Sequence, residues 1–312
     1  MSTIKTKVNS STLKAIIAEL SQFLPRKPKI VPLKNGEISQ AYLLKFREND
    51  SDMILRINSR NDRGFFKDDY ASRNFSQFGL KIPGIIINGQ KGEYYFSLSE
   101  KCAGHLLDEI PIAERRTVQT DLFRQLLLLF KIAPMGSGYG RWDKTLQAEN
   151  ETLAKLIRFD LRINEIDMIA RPFSDLKLQE AIRQLALPLG KFLPEERYLI
   201  HGDPGFQNAC CENGQITGLF DWAESAYRDF VSEIAWLMFW NSNALDTSNV
   251  FLKFYQAQPI KERPKLNFEN YEKRLQYALL VIGYGSLCFF AKSEQPESYQ
   301  ETVEIMRKLK IL

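Results

Sequence analysis

Three side chains that offer oxygen ligands lie within one short stretch of the chain, residues 198–222. Asp203 ends the sequence His-Gly-Asp after a short apolar run, Asn208 comes five residues later, and Asp221 stands directly before Trp222. An Asn-Gly pair between the second and third of these predicts a tight turn joining two strands. The three side chains should therefore meet at one end of a hairpin. One carboxylate would take a proton from a hydroxyl, and the other two oxygens would bind Mg²⁺, which suits phosphoryl transfer.

The composition is that of an ordinary globular protein. The chain has 312 residues, of which 44% are hydrophobic and 26% are charged, and its formal net charge is +4. Because the basic residues are spread along the chain and form no block, we expect no nucleic-acid partner. No apolar run approaches the roughly 20 residues that span a bilayer, and no signal peptide is evident, so we expect no membrane partner.

Cysteine and histidine usage argues against a metal site built from those residues. The four cysteines show no CxxC spacing, and the chain has only two histidines. Free thiols are typical of the cytoplasm, which is the location we expect. A metal-hydrolase interpretation of His201 and Asp203 fails because further histidines are lacking, so we expect His201 to brace the loop.

The hydrophobic pattern divides the chain into a strand-rich first third and a helical remainder. Strands are predicted at 29–33, 41–46, 53–57, 85–88 and 94–99, with helices at 10–24 and 65–78. Beyond residue 100, helices are predicted after His105 and at 113–132, 148–169, 175–187, 230–240, 250–257, 271–291 and 298–309.

The motif in the 198–222 stretch resembles the aminoglycoside phosphotransferase branch of the protein-kinase-like fold. Protein kinases carry His-Arg-Asp and Asp-Phe-Gly at these places, whereas this chain has His-Gly-Asp and Asp-Trp. Further segments are similar to the hygromycin B phosphotransferases, in patches over residues 30–245. These segments include Leu55-Arg56-Ile57-Asn58-Ser59, Phe65-Phe66-Lys67-Asp68, Ile82-Pro83, Ala103-Gly104 and Asp221-Trp222-Ala223-Glu224.

The resemblance implies an α+β, bilobal protein-kinase-like fold. Residues 1–100 would form a small β-rich N-terminal lobe that binds the nucleotide. Residues 101–312 would supply the hinge and a larger, mainly helical C-terminal lobe with the catalytic loop and the acceptor site. We expect a monomer that uses ATP and Mg²⁺.

The resemblance also implies where the nucleotide phosphates bind. Gly36 and Ser39 lie in the turn that would cover the phosphates, although this turn lacks a full glycine-rich motif. Arg56 would grip phosphate oxygens where protein kinases have lysine; alternatively, it points outward from an exposed strand face. An acidic residue of the following helix should pair with it, and both Asp68 and Asp69 are candidates.

The lobes would be joined at residues 100–102. Backbone groups of Glu100, Lys101 and Cys102 would hydrogen-bond the adenine edge at this hinge. Backbone recognition leaves little side-chain signature, so this prediction depends on position within the resemblance.

Acidic residues after Asp221 are candidates for binding a cationic acceptor. The resemblance implies this role for Glu224, Asp229 and Glu233, while Asp203 would contact the acceptor hydroxyl. Asp229 and Glu233 are four residues apart and would share one face of a helix. The alternative is that Asp229 caps that helix and Glu233 is solvated.

The predicted function is a small-molecule kinase. The resemblance implies transfer of the γ-phosphate of ATP to a hydroxyl of an aminoglycoside or aminocyclitol such as hygromycin B, which would confer antibiotic resistance. The same fold also phosphorylates choline, fructosamine-type sugars, homoserine and macrolides, so these remain alternatives. A nucleotide-binding module without turnover is a further alternative.

Overall fold

The computed structural model describes residues 6–33, 38–47, 50–59, 63–162, 170–241 and 247–312. It confirms the α+β architecture expected from the sequence, with a sheet-rich N-terminal part and a helical C-terminal part. The N-terminal sheet is antiparallel and has the order β1-β2-β3-β5-β4. Its strands are β1 (Lys29–Pro32), β2 (Gln40–Lys45), β3 (Met53–Asn58), β4 (Ile85–Lys91) and β5 (Tyr94–Glu100).

Two helices flank this sheet, α1 (Ser10–Glu19) and α2 (Arg63–Phe75). A small core of buried side chains joins α1 and the turn after it to the strands: Ile16, Leu20, Tyr42, Leu44, Leu55, Ile57, Phe96 and Leu98. Side chains alternate along a strand, so the inward Leu55 and Ile57 send Arg56 to the opposite face, toward α2. Within α2, Ala71 and Phe75 belong to the core of the C-terminal part, so this helix packs against both parts of the molecule.

The C-terminal part contains two small sheets, one of which includes the predicted hairpin of residues 209–219, called the catalytic hairpin below after its predicted role. This sheet has the order β11-β10-β6 and the other has the order β8-β7-β12-β9. Their strands are β6 (His105–Leu106), β7 (Tyr139–Trp142), β8 (Ala148–Asn150), β9 (Tyr198–Ile200), β10 (Ala209–Glu212), β11 (Gln215–Leu219) and β12 (Ala226–Arg228).

Seven helices enclose these sheets within the described ranges. They are α3 (Ile112–Phe130), α4 (Leu153–Asp160), α5 (Leu176–Ala186), α6 (Val231–Trp240), α7 (Thr247–Ala257), α8 (Tyr271–Lys292) and α9 (Pro296–Lys308). Of the helices in the described part, α8 alone is long and apolar enough to cross a membrane, and 61% of its apolar window is buried inside the protein. Because α8 packs against α5, α6 and α9, it is a core helix.

Two helix predictions differ from the structure. Within the predicted 148–169 helix, Ala148–Asn150 form strand β8, and helix α4 covers only Leu153–Asp160; the Thr152 side chain caps α4 by accepting a hydrogen bond from the Lys155 N–H at 3.2 Å. Residues 163–169 lie outside the described residues. The short helix expected after His105 is instead strand β6, whose partner strand β10 is distant in sequence. Tertiary strand pairing overrode the local helical pattern in both places.

Candidate active site

The stretch from β9 to Asp221 forms the strand, loop and hairpin that the sequence predicted. Asn213 and Gly214, at the tip between β10 and β11, both have positive φ, 51° and 78°, as a tight hairpin turn requires. At the open end, the Phe220 N–H donates to the Asn208 carbonyl at 3.0 Å. This bond places Asn208 beside the residue that follows Phe220, which is Asp221.

Asp203 is held by hydrogen bonds to both carboxylate oxygens. The Asn208 amide nitrogen donates to Oδ2 at 2.8 Å and also to the Asp203 carbonyl at 3.0 Å. The Trp236 indole N–H donates to Oδ1 at 2.8 Å. Desolvation raises the pKa of Asp203 above its usual range, although these two side-chain donors oppose that shift. The carboxylate is therefore fixed in orientation and more basic than one in water.

Asp221 adopts a left-handed backbone conformation, with φ 65°, at the end of β11. Its side chain is 48% exposed, and its Oδ1 lies 3.9 Å from Arg56 Nη1. Desolvation raises the pKa of Asp221 to about 6; Arg56 opposes this shift, while the nearby charges of Asp68, Asp203 and Glu224 add to it. Excess negative charge around an accessible carboxylate is what a bound cation would relieve.

Arg56 is fixed by Asp68, which resolves the choice between the two acidic candidates. Arg56 Nη2 donates to Asp68 Oδ2, and the other oxygen, Oδ1, accepts the Trp222 N–H at 2.8 Å. Asp69 instead forms an exposed pair with Arg73 at 2.7 Å along the same helix. Asp68 thus connects Arg56 to the backbone N–H of Trp222, the residue after Asp221. The alternative that Arg56 points outward from an exposed strand face is therefore wrong.

Glu224 lies at the edge of this cluster in a three-residue ion-pair network. Arg141 Nη1 is 3.1 Å from Glu224 Oε2, and Arg141 Nε is 3.1 Å from Glu149 Oε1. All three side chains are partly exposed. No sequence pattern marked Arg141 or Glu149, because β7 reaches the Glu224 loop only through its pairing with β12, and β8 follows through its pairing with β7.

The structure corrects the acceptor role expected for Asp229. Its carboxylate accepts two hydrogen bonds from Arg274, with 2.8 Å between Nε and Oδ2, and the two side chains are 6% and 0% exposed. Arg274 also donates to the carbonyls of Asn267, at 2.6 Å, and Glu269, at 2.9 Å. Asp229 is therefore committed to a buried ion pair that anchors α8. In addition, its Oδ1 accepts the Val231 N–H at 3.2 Å, as a helix-start residue does.

The structure also corrects the acceptor role of Glu233, which is fully buried. Its two oxygens accept the backbone N–H groups of His201 at 2.8 Å and Gly202 at 2.9 Å. Desolvation raises the pKa of Glu233 to about 8, against the effect of these two donors. Glu233 thus shapes the catalytic loop from behind. Trp236 lies three residues further along α6 and shares this face, a spacing that in retrospect signals two contacts with one loop.

His201 is buried and packs against Trp222, with 4.5 Å between the ring centroids. Its Nδ1 accepts the Asp203 N–H at 3.4 Å. Desolvation lowers the pKa of His201 to about 3, so the ring is neutral near pH 7. These contacts agree with the predicted bracing role.

The predicted hinge joins the N-terminal sheet to the catalytic hairpin. The Glu100 N–H donates to the Gly84 carbonyl at 2.9 Å, and the Lys101 N–H donates to the Asp52 carbonyl at 3.3 Å. Cys102 packs so closely on Gly218 of β11 that a Cβ at Gly218 would lie 2.1 Å from Cys102 Sγ. Of the predicted phosphate-turn residues, Ser39 lies half-buried just before β2, and Gly36 lies outside the described residues.

Comparisons with known proteins bear on the family and the fold. The model of the phosphotransferase enzyme family (APH) matches residues 29–266. A hygromycin-B 4-O-kinase from Escherichia coli is 27% identical over 215 residues, which cover 68% of this chain and 62% of that protein's length.

Solved structures show the same fold. A thermostable mutant of aminoglycoside phosphotransferase APH(4)-Ia in its apo form gives a TM-score of 0.74 at 22% identity, covering 94% of this chain and 96% of that chain. A ternary complex of that enzyme with AMP-PNP and hygromycin B gives 0.73 at 21% identity, covering 94% and 98%. The GDP and kanamycin complex of APH(2")-IIIa gives 0.66 at 14% identity, covering 96% and 98%.

Proposed function

Because the chain belongs to the phosphotransferase enzyme family, we propose that it transfers the γ-phosphoryl group of ATP to a hydroxyl of a small molecule. The proposed acceptor is an aminoglycoside or aminocyclitol such as hygromycin B, and the product would be an inactivated antibiotic. One observation carries this proposal: Asp203, Asn208 and Asp221 converge beside the Arg56–Asp68 pair. The likeness to a hygromycin-B 4-O-kinase supports the acceptor class.

Asp203 is the proposed acceptor of the hydroxyl proton. The acceptor oxygen forms its bond to the γ-phosphorus while the bond from phosphorus to the β-phosphate oxygen breaks, which releases ADP. The proton passes to an Asp203 oxygen, since a carboxylate oxygen has lone pairs beyond the one engaged by Trp236 or Asn208. The raised pKa of Asp203 favours this transfer, and its two fixed donors hold it in place.

Asn208 and Asp221 fit a magnesium ion. The amide nitrogen of Asn208 is committed to Asp203, so the amide oxygen is the remaining, neutral ligand. Asp221 offers an anionic oxygen on an accessible side chain, among further carboxylates that raise its pKa. Hard oxygen ligands of this kind suit Mg²⁺, which when bound would neutralise charge on the nucleotide phosphates.

The nucleotide would lie between the N-terminal sheet and the catalytic hairpin. Asp68 holds Arg56 beside Asp221, and the Arg56 guanidinium matches phosphate oxygens. Since the N–H groups of Glu100 and Lys101 already donate within the protein, the Cys102 N–H is the proposed donor to the adenine edge. Ser39 and Gly36 are proposed to contact the phosphates. Reduced thiols and an ATP requirement fit a cytoplasmic enzyme.

Glu224 is the acidic residue that remains for the acceptor after the corrections to Asp229 and Glu233. It is 49% exposed and close enough to Asp203 and Asp221 to affect the pKa of both. Arg141 holds it in place, and Glu149 supplies a second carboxylate on the same guanidinium. An ammonium group of an aminoglycoside would find two carboxylates at this edge.

The test combines an acceptor panel with a variant of the proposed base. Purified protein with Mg-ATP is offered hygromycin B, a second aminoglycoside, choline, a fructosamine, homoserine and a macrolide, and phosphorylated product is measured. We expect turnover of hygromycin B, and Asp203→Asn should lower kcat by about 10²–10⁴-fold while leaving AMP-PNP affinity unchanged. Asp69→Asn, which removes a carboxylate that pairs with Arg73 and not with Arg56, is the matched control.

The outcomes separate the alternatives. Turnover of choline or a macrolide with none of hygromycin B would reject the aminoglycoside assignment but keep the kinase. Mg-AMP-PNP binding without product from any acceptor would favour a binding module. Wild-type turnover by Asp203→Asn would refute the role of Asp203.

A further inference from the structure

Lys67 is a buried cation that contacts the loop following Asp221. It lies on α2 with a fully buried side chain, and Nζ donates to the Ser225 carbonyl at 2.6 Å and to the Ala223 carbonyl at 3.1 Å. The same Nζ lies 4.7 Å from the centroid of the Trp142 ring. Lysine is rarely fully buried, because removing an ammonium from water is costly unless the protein replaces its hydration. Here two carbonyls and an aromatic face do so.

The neighbouring residue on α2 holds the preceding part of the same loop. Asp68 accepts the Trp222 N–H at 2.8 Å, so Lys67 and Asp68 together fix residues 222–225. Asp68 also pairs with Arg56, the proposed phosphate-binding cation. Two adjacent side chains of one helix thus join the phosphate cation to the backbone beside the proposed metal ligand.

Ser225, whose carbonyl accepts from Lys67, also connects the loop to strand β9. Ser225 Oγ accepts the Trp142 indole N–H at 3.1 Å and donates to the Ile200 carbonyl at 2.8 Å. Ile200 ends β9, three residues before Asp203. In addition, Phe75 of α2 packs on Trp222, with 5.6 Å between ring centroids. These contacts therefore join α2, residues 222–225 and β9 into one unit.

We propose that Lys67 is a positioning residue for phosphoryl transfer, which sets the loop after Asp221 and thereby the geometry of Mg-nucleotide binding. Lys67 does not touch substrate, since its side chain is buried. It acts through the carbonyls of Ala223 and Ser225, much as outer-sphere partners orient metal ligands. This inference depends on the proposed kinase function, and it adds a residue outside the acceptor and nucleotide contacts.

The test is the magnesium dependence of Lys67→Met, which nearly keeps the length of the side chain but removes its charge and donors. We expect the Mg²⁺ concentration for half-maximal rate to rise and kcat to fall, each by about 10–100-fold. The KM for the acceptor should change less than about threefold, since no acceptor contact is lost. Arg73→Met is the matched control, because it alters an exposed side chain of the same helix.

A second variant distinguishes positioning from packing. Lys67→Arg restores a cation and donors but fits the space worse than Met does. A positioning role predicts that Arg recovers more Mg²⁺ affinity than Met, whereas a packing role predicts the reverse order. Rates are referred to the folded fraction measured by near-UV circular dichroism. Wild-type Mg²⁺ dependence and kcat in folded Lys67→Met would overturn the proposal, even if its melting temperature falls.

Trp142→Phe keeps the proposal testable if Lys67→Met does not fold. This variant reduces the aromatic face against Lys67 Nζ and removes the hydrogen bond from Trp142 to Ser225. The Mg²⁺ concentration for half-maximal rate should therefore rise again. An unchanged concentration would overturn the proposal. Titration of wild-type and Lys67→Met protein with AMP-PNP, with and without Mg²⁺, measures the same effect without turnover and separates the two levels of inference. Absence of both binding and turnover in the wild type would count against the kinase function itself, and not against Lys67 alone.

Discussion

Asp229 and Glu224, both predicted from the sequence to bind the acceptor, should have different roles: Asp229 stabilises the fold and Glu224 contacts the acceptor. Asp229→Asn removes the charge opposite Arg274 while nearly preserving shape. Arg274 is 0% exposed and its guanidinium would stay buried, held by two carbonyl groups but with no anion. We therefore expect Asp229→Asn to lower the free energy of unfolding and to leave acceptor binding unchanged.

The size of this loss follows from burial. Removing one partner of a buried ion pair costs about 3–5 kcal/mol, because the remaining charge has lost its hydration and its counter-charge. For a chain of 312 residues, the average unfolding entropy per residue converts that loss into a fall of roughly 5–8 °C in melting temperature. The double variant Asp229→Asn/Arg274→Met removes both charges and should recover part of the loss.

Glu224→Gln is the matched comparison, since it also neutralises one carboxylate. The Glu224 side chain is 49% exposed and its partner Arg141 is 30% exposed, so the pair should contribute only about 0–1 kcal/mol to stability. If Glu224 binds an ammonium of the acceptor, its loss should raise the acceptor KM roughly tenfold, equivalent to about 1.4 kcal/mol. Melting temperature by scanning fluorimetry and steady-state kinetics on all three variants provide the two readouts.

An exchange of effects between Asp229→Asn and Glu224→Gln would refute these assignments. A tenfold rise in acceptor KM with unchanged melting temperature in Asp229→Asn would show that this carboxylate reaches the acceptor after all. A double variant less stable than Asp229→Asn alone would show that Arg274 is satisfied by its carbonyl partners, and that the charge pair contributes little.

Two further predictions concern the nucleotide side of the site. Asp68→Asn should raise the KM for ATP and lower kcat, because Arg56 loses its partner. Asp69→Asn should leave both constants unchanged, since Asp69 pairs with Arg73. Equal effects in the two variants would contradict the assignment of Asp68 as the partner of Arg56. Because the pKa of Asp221 is raised to about 6 and only its ionised form binds a cation, kcat/KM for ATP should fall as the pH drops below about 6, and excess Mg²⁺ should move this limb to lower pH. A profile that is flat down to pH 4.5, roughly the range of an ordinary carboxyl group, would refute the environment described for Asp221.

Short-range patterns were sufficient where the chemistry depends on neighbours in sequence. The spacing of Asp203, Asn208 and Asp221 around an Asn-Gly turn predicted their convergence, because a two-residue hairpin fixes the register of its strands. The alternation of apolar residues in β3 did not decide whether Arg56 points to the site or to solvent, since it does not show what covers the second face of the strand. That decision required the packing of α1 on one face and α2 on the other.

Patterns failed where strands pair. Strand β8 occupies part of a predicted helix because it pairs with β7, and β6 replaces another because it pairs with β10, which is distant in sequence. The same limitation hid Arg141 and Glu149, which reach Glu224 only after β7 has paired with β12.

The sequence by itself predicted a strand-rich first third and a helical remainder from local periodicity, and it predicted the convergence of Asp203, Asn208 and Asp221 from one turn. Only the tertiary structure decided which carboxylates are available for chemistry. The sequence does not distinguish Asp229 and Glu233 from Glu224. In the structure, Asp229 is buried with Arg274 and Glu233 is buried against two backbone N–H groups, whereas Glu224 stays partly exposed. The cost of burying a carboxylate is met by specific donors, and these donors come from parts of the chain that are close in space alone.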